Sequence, residues 1–154
     1  MLERSSVGIL ALLVLLPGSP LLAGDIEITD PYARASRPGA PTGAIFMSIQ
    51  NAGTTADRLV AAKSPAAAVV QIHTHIEESG IMKMREVAAG IPVPAGGTHT
   101  LSRGGDHVML MGVTQDLVDG ETVPLTLVFE IAGEVVIEVP VDNSRGQPAM
   151  SAGQ

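Results

Sequence analysis

From Asp25 to Val141 no stretch of the chain sustains an apolar period of 3.6 residues over the roughly 10–12 positions that a helix needs. Short apolar runs appear instead, each bounded by Gly, Pro, Asp or Asn. They are Ile26–Thr29, Ala44–Ile49, Leu59–Ala62, Ala68–Ile76, Ile91–Val93, His107–Val113, Leu125–Ile131 and Val135–Val141. Asp30-Pro31 turns the chain after the first run, and Ala132-Gly133 separates the last two. Ser64-Pro65 has the cap chemistry to start one helical turn. Valine and isoleucine then take over, so the segment reads as a turn entering a strand. Runs of this length with turn chemistry between them predict an all-β sandwich or barrel in one domain. Aromatic residues make up 2% of the chain and hydrophobic residues 45%, so the core must be packed from Val, Ile, Leu, Ala and Met. Met47, alternating with Ile45 and Ile49, belongs to that core.

The first stretch stands apart from this texture. Arg4 precedes the apolar run Val7–Leu16, Pro17, Gly18 and Pro20 break it, and Ala23-Gly24 offers a small-residue cleavage site. The run is shorter than the roughly 20 residues of a membrane span. Residues 1–23 are therefore expected to be an export signal, residues 24–141 the folded domain, and the polar stretch Asp142–Gln154 a frayed tail. Export from a Gram-negative cell leads to the periplasm, with no membrane insertion once the signal is removed.

A formal net charge of −7 argues against nucleic-acid binding, which needs Lys and Arg to neutralise phosphates. It reads as ordinary for solubility rather than as a device for steering a basic partner. The chain contains no Cys. That excludes thiolate metal sites, disulfides and thiol–disulfide exchange. No G-x-S-x-G nucleophile motif is present either, and the chain is not expected to be an enzyme.

Nearly all of its unusual residues fall in three segments, Gln71–His75, Ile81–Arg85 and His107–Met111. Of the seven Met, 82, 84, 109 and 111 fall there, as do His73, His75 and His107 of the four His. Within each segment they recur at i, i+2, which on a strand puts them on one face. Met on a strand is commonly core filler, and a lone His is commonly a hydrogen-bonded surface group. In His107–Met111, however, Val108 and Leu110 already supply an apolar face, so 107, 109 and 111 form either a second core face or a binding face, and His107 at the head of the strand makes the core reading poorer. If the segments are neighbours, imidazole nitrogens and thioether sulfurs converge on a metal. Thioether is a soft, neutral donor that suits Cu(I), and a Cys-free set cannot form a blue-copper centre. Zn²⁺ would call for Cys, His or carboxylate, and Ca²⁺ for oxygen. His99, between Thr98 and Thr100 without a sulfur neighbour, reads as a solvent-exposed residue of a turn.

The pattern His73–x10–Met84–x22–His107–x–Met109 resembles the motif of the periplasmic CuA copper chaperones, PCu(A)C, usually written H-x10-M-x21-H-x-M. Flanking phrases such as DPYARAS, IMKMREV, IPVPAGGTHTL and GGDHVMLMGV agree, and the resemblance extends over Asp25–Val141. It implies a cupredoxin-like Greek-key β-sandwich holding one Cu(I) through His73, Met84, His107 and Met109. It also implies a monomeric carrier that delivers copper toward the CuA centre of cytochrome c oxidase, directly or through a thiol-bearing copper chaperone. Four positions depart from the family pattern. The Met84–His107 interval is one residue longer, which the Gly96-Gly97 or Gly104-Gly105 turns can absorb. His75 stands where many members carry Met, which adds an imidazole and favours some Cu(II) binding at an extended site. Tyr32 replaces an aromatic that is often Trp. Asp106 precedes the second His, where it can orient an imidazole.

A set of two neutral imidazoles and two neutral thioethers lets an acceptor's thiolates displace the donors one at a time. Protonation of His73 or His107 competes with copper, so affinity is expected to weaken as pH falls through about 6.5. The competing reading is a copper buffering or tolerance protein without a dedicated oxidase partner.

Overall fold

The structure is a computed structural model that describes residues 24–145. Ten strands follow one another: β1 (Ile26–Ala35), β2 (Thr42–Asn51), β3 (Asp57–Lys63), β4 (Ala67–Glu78), β5 (Ile81–Glu86), β6 (Ile91–Val93), β7 (Thr98–Leu101), β8 (His107–Val113), β9 (Thr122–Phe129) and β10 (Gly133–Pro140). There is no helix among the described residues. One sheet runs β1-β2-β8-β4-β5, with β7 also on β2, and the other runs β10-β9-β3-β6. Every pairing within these sheets is antiparallel, and a parallel bridge between Ala33 and Val141 ties β1 to the end of the second sheet. The architecture is the expected all-β sandwich. The expected signal segment lies outside the described residues, as does 146–154.

The two inner faces supply the core. Ile45, Met47, Ile49, Ile72, Val108 and Leu110 come from the first sheet, and Leu59, Val123, Leu125, Leu127, Phe129, Val135 and Val139 from the second. Met47 is buried there, as its alternation implied. Val108 and Leu110 face inward, so strand alternation turns His107, Met109 and Met111 to the outer face of the first sheet.

Four expectations need correction. Asp30-Pro31 does not turn the chain: β1 runs through it with a register shift between Thr29 and Tyr32, Asp30 sitting at φ 51°. A bulge on an edge strand accommodates both the positive φ and the missing proline N–H. His99 is not in a turn, because Thr98–Leu101 pairs with Met47–Gln50 as β7. The run Leu125–Ile131 stops at Phe129, where the buried Asp57 carboxylate accepts the Ile131 and Ala132 N–H groups at 2.9 Å and closes the β9–β10 turn. Of the tail expected from Asp142, the first four residues are held against the body. Asp142 N–H bonds Ala33 O, the Asn143 side chain bonds Ala35 N–H and Leu117 O, and Arg145 pairs with Asp30.

Candidate metal centre

Register decides what meets on the outer face. Between β4 and β8, His73 stands opposite His107 and Gln71 opposite Met109. Between β4 and β5, His75 stands opposite Met84. Between β2 and β8, Ala44 stands opposite Met109. Directly opposed residues share a face, so all three imidazoles and both of these thioethers point the same way. The register of β5 comes from the two-residue turn Ser79-Gly80, whose φ values of 54° and 77° suit a type I′ hairpin.

A cleft of about 250 Å³ opens on this face, and its lining includes His75, Met84, His107 and Met109. Ala44 makes room for it, having only a methyl group between Arg34 on β1 and Met109 on β8. His107 is buried at 3% exposure, whereas Met84, on edge strand β5, is 49% exposed. One of these side chains is thus fixed in the body of the protein and another is open to solvent. His73 does not line the cleft; its ring packs edge-on against His107, centroids 5.9 Å apart. The His75 and His107 rings are 5.3 Å apart. Two imidazoles on one ion, each bonded at about 2.0–2.1 Å, have centroids roughly 5 Å apart at a tetrahedral angle. Met82 and Met111 are outside the lining.

The hydrogen bonds fix which nitrogens can ligate. His75 Nδ1 and His107 Nδ1 lie 3.2 and 3.1 Å from the same carbonyl oxygen, that of Gly105. A carbonyl only accepts, so both Nδ1 atoms carry the proton and both Nε2 atoms keep a lone pair. His73 Nε2 donates to Gln71 Oε1 at 2.9 Å, and its Nδ1 is buried without a hydrogen-bond partner. A buried imidazole lone pair of this kind has the chemistry of a metal ligand. Burial pushes the His107 imidazole below its ordinary pKa, the neighbouring His75 and His73 add to this, and the Gly105 bond and Asp106 oppose it without reversing it. His107 is therefore neutral at neutral pH, the form that binds metal. Its own proton competition starts lower than the 6.5 of an ordinary imidazole.

Behind His107 an aromatic stack fills the wall: Phe46 at 6.1 Å, Tyr32 on Phe46 at 5.1 Å, and the Arg145 guanidinium 4.0 Å over Tyr32. Asp106 orients an imidazole, but it is that of His99, whose Nε2 donates to Asp106 Oδ2 at 2.8 Å. The sequence offered no hint of the Gly105 carbonyl as a shared anchor, beyond the glycine pair that lets the turn form. Nor did it place Arg34 and Arg103 at the cleft.

Residues 26–141 match the family described as "Putative lipoprotein LpqE-like". The chain is 32% identical over 124 residues to "Putative lipoprotein Lxx21020" of Leifsonia xyli subsp. xyli (strain CTCB07), covering 80% of this chain and 74% of the relative. Among solved structures, the copper-bound PCuAC domain from PmoF2 is 31% identical with a TM-score of 0.65, over 78% of this chain and 94% of that one. The Cu(I) form of DR1885 from Deinococcus radiodurans is 32% identical with a TM-score of 0.60, over 77% and 80%. The sandwich is thus cupredoxin-like, as in PCuAC domains. On the matched length, the shared fold and the His/Met segments it carries, the chain belongs to the LpqE-like (PCuAC) family.

Proposed function

We propose that this protein is an exported copper chaperone that binds one Cu(I) and releases it by ligand exchange to an acceptor, toward the CuA centre of cytochrome c oxidase. The ligands are His73, Met84, His107 and Met109. The observation that carries the reading is a single cleft in which soft, neutral donors from three strands converge, with the His107 Nε2 lone pair left open by the Gly105 bond. Cu(I) favours thioether and imidazole together, and no carboxylate lines the cleft to attract a hard cation. Met84, exposed on the edge strand, is the donor an acceptor reaches first, while buried His107 holds the ion until last. No bond in the protein is made or broken during transfer, so the role is that of a carrier and not of an enzyme. Residues 1–23, read as an export signal, support a periplasmic location.

His75 lines the cleft where His73 does not, and this favours its joining the donor set. A third imidazole suits Cu(II) as well as Cu(I).

The test is anaerobic Cu(I) titration against a competing chelator. One equivalent is expected, with His107→Ala losing more than the roughly 10–100-fold in affinity that removal of an outer-shell partner costs. His75→Ala and His73→Ala, measured alongside, divide the two imidazoles by the size of their losses. Less than one equivalent bound, or unchanged affinity in a His107→Ala/Met109→Ala variant, would reject the reading. A buffering protein binds copper equally well but does not pass it to an apo CuA domain.

A further inference from the structure

The hairpin that carries Met84 ends one of the two sheets. β5 is the last strand of the order β1-β2-β8-β4-β5, and among the described residues no strand pairs with its far side. The other edges are broken, tied down or short. β1 carries the Asp30 bulge, and the bridge between Ala33 and Val141 joins it to the residue after β10. β6 has three residues. All six residues of β5 are exposed, and Ile81, Met82 and Met84 are large apolar side chains among them. A regular, exposed edge of this kind is a template for another strand.

Register fixes what the edge presents. The turn Ser79-Gly80 has two residues, so Glu78 and Ile81 beside it form a hydrogen-bonded pair. Val87 N–H bonds Ile72 O at 2.8 Å in the same register. Bonding alternates along an antiparallel pair, so Ile81, Lys83 and Arg85 direct their backbone groups to β4. The N–H and C=O groups of Met82, Met84 and Glu86 therefore point away from the sheet, into the open edge. Their side chains lie on the donor face, where Met84 stands opposite His75. The most exposed thioether of the cleft thus sits at the centre of a row of outward backbone groups.

A second copy of this chain does not fit that edge. Lys83 and Arg85 lie on the opposite face of β5 and share one carboxylate, that of Glu78, at 2.7 and 2.8 Å. Two cations on one anion leave this face cationic. Antiparallel self-pairing centred on Lys83, Met84 or Arg85 sets Lys83 or Arg85 directly against a Lys83 or Arg85 of the copy, and opposed like charges destabilise a sheet. The same excess suits a strand that carries acidic residues at these positions.

We propose that the open edge of β5 is where the copper acceptor docks, as an extended segment that adds antiparallel to the sheet and sets a thiol opposite Met84. This rests on the copper-chaperone reading above and adds to it the way the acceptor is held. The residue opposite Met84 exchanges both backbone hydrogen bonds with it, Cα atoms about 5.5 Å apart, and its side chain stands on the donor face. Acidic residues on either side of it face Lys83 and Arg85. A thiolate is the protein group that displaces thioether from Cu(I), and a chain without Cys must receive it from outside. The thiol gives its proton to solvent, its sulfur bonds Cu(I), and the bond from Cu(I) to the Met84 sulfur breaks. The metal stays Cu(I) throughout.

The probe is the peptide acetyl-Thr-Val-Glu-Cys-Glu-Val-Thr-amide. Its control is a twin N-methylated at the Cys amide, which has the same thiol and lacks the N–H that pairs with Met84. Anaerobic stopped-flow measures how fast each removes Cu(I) from the loaded full chain, by thiolate-to-copper charge-transfer absorption. The unmodified peptide is expected to react at least about fivefold faster than its twin. In Met82→Pro/Glu86→Pro the lost N–H groups face solvent, so pairing with β4 is kept. There the two peptides are expected to react equally, with Cu(I) affinity unchanged. On the wild-type apo chain, the unmodified peptide is expected to slow hydrogen exchange at Met82, Met84 and Glu86 N–H, but not at Lys83 and Arg85, which β4 already protects. Equal rates on the wild type, or a preference that survives the prolines, overturn the inference. Should the proline variant not fold, the exchange pattern decides, and no slowing at the three outward amides overturns it. An apo dimer that the prolines dissolve assigns the edge to a second copy and overturns it too. If the wild type binds no Cu(I), it is the chaperone reading that fails; if it binds Cu(I) and treats the peptides alike, only this inference fails.

Discussion

At the scale of single residues, the site depends on groups that bind nothing themselves. The Gly105 carbonyl sets the tautomer of two imidazoles at once. Asp57, remote from the cleft, does comparable work for the second sheet. Burial pushes its carboxyl up, but the Ile131, Arg58 and Ala132 N–H groups outweigh this and leave its pKa below the ordinary value. Because the folded state holds the carboxylate more tightly than the unfolded chain, its stabilisation is complete above about pH 4. It is lost as pH falls through the depressed folded value. Asp57→Asn is expected to cost about 1–2 kcal/mol at neutral pH, with the difference from wild type closing on acidification below pH 4. Urea unfolding of both proteins across this range measures it; a difference independent of pH would contradict it. The shared face of His107, Met109 and Met111 was legible in the sequence, since alternation alone puts them on one side. Hydrogen-bond partners were not, because a backbone carbonyl has no letter, and Asp106 bonds His99 and not a neighbour in sequence of the cleft.

At the scale of elements, strands were legible and their pairings were not. The apolar runs mark nearly every strand, but β7 carries Thr and His at exposed or half-buried positions and looks like loop. Whether His73 or His75 faces Met84 depends on the length of the Ser79-Gly80 turn, which no periodicity reveals. All six residues of β5 are exposed, so its register can change with little effect on the core. One Gly inserted between Ser79 and Gly80 would shift β5 by a position and turn Met82 and Met84 to the opposite face. Cu(I) affinity is then expected to fall at least about tenfold, with circular dichroism and thermal stability of the apo protein nearly unchanged. Retained affinity would mean that Met84 is not a ligand.

At the scale of the whole molecule, the core between the sheets and the donor face outside the first sheet are separate, so metal and fold are separable. The apo protein is expected to be fully folded, unlike small domains whose metal site is their core. Cu(I) at roughly 1,000 times its Kd adds about 4 kcal/mol and raises Tm by on the order of 10 °C. Anaerobic calorimetry of apo and loaded protein checks both; an unfolded apo form would contradict the separation. Global charge says little of local charge: a net −7 gave no sign of the arginines at the cleft. The most direct measurement is copper K-edge X-ray absorption on the Cu(I)-loaded chain, prepared with one equivalent. Sulfur and nitrogen scatterers in the same coordination shell, with sulfur lost in Met84→Ala/Met109→Ala, is the expected result. A shell of nitrogen and oxygen alone would show that the thioethers and imidazoles do not share an ion, and the account would fall.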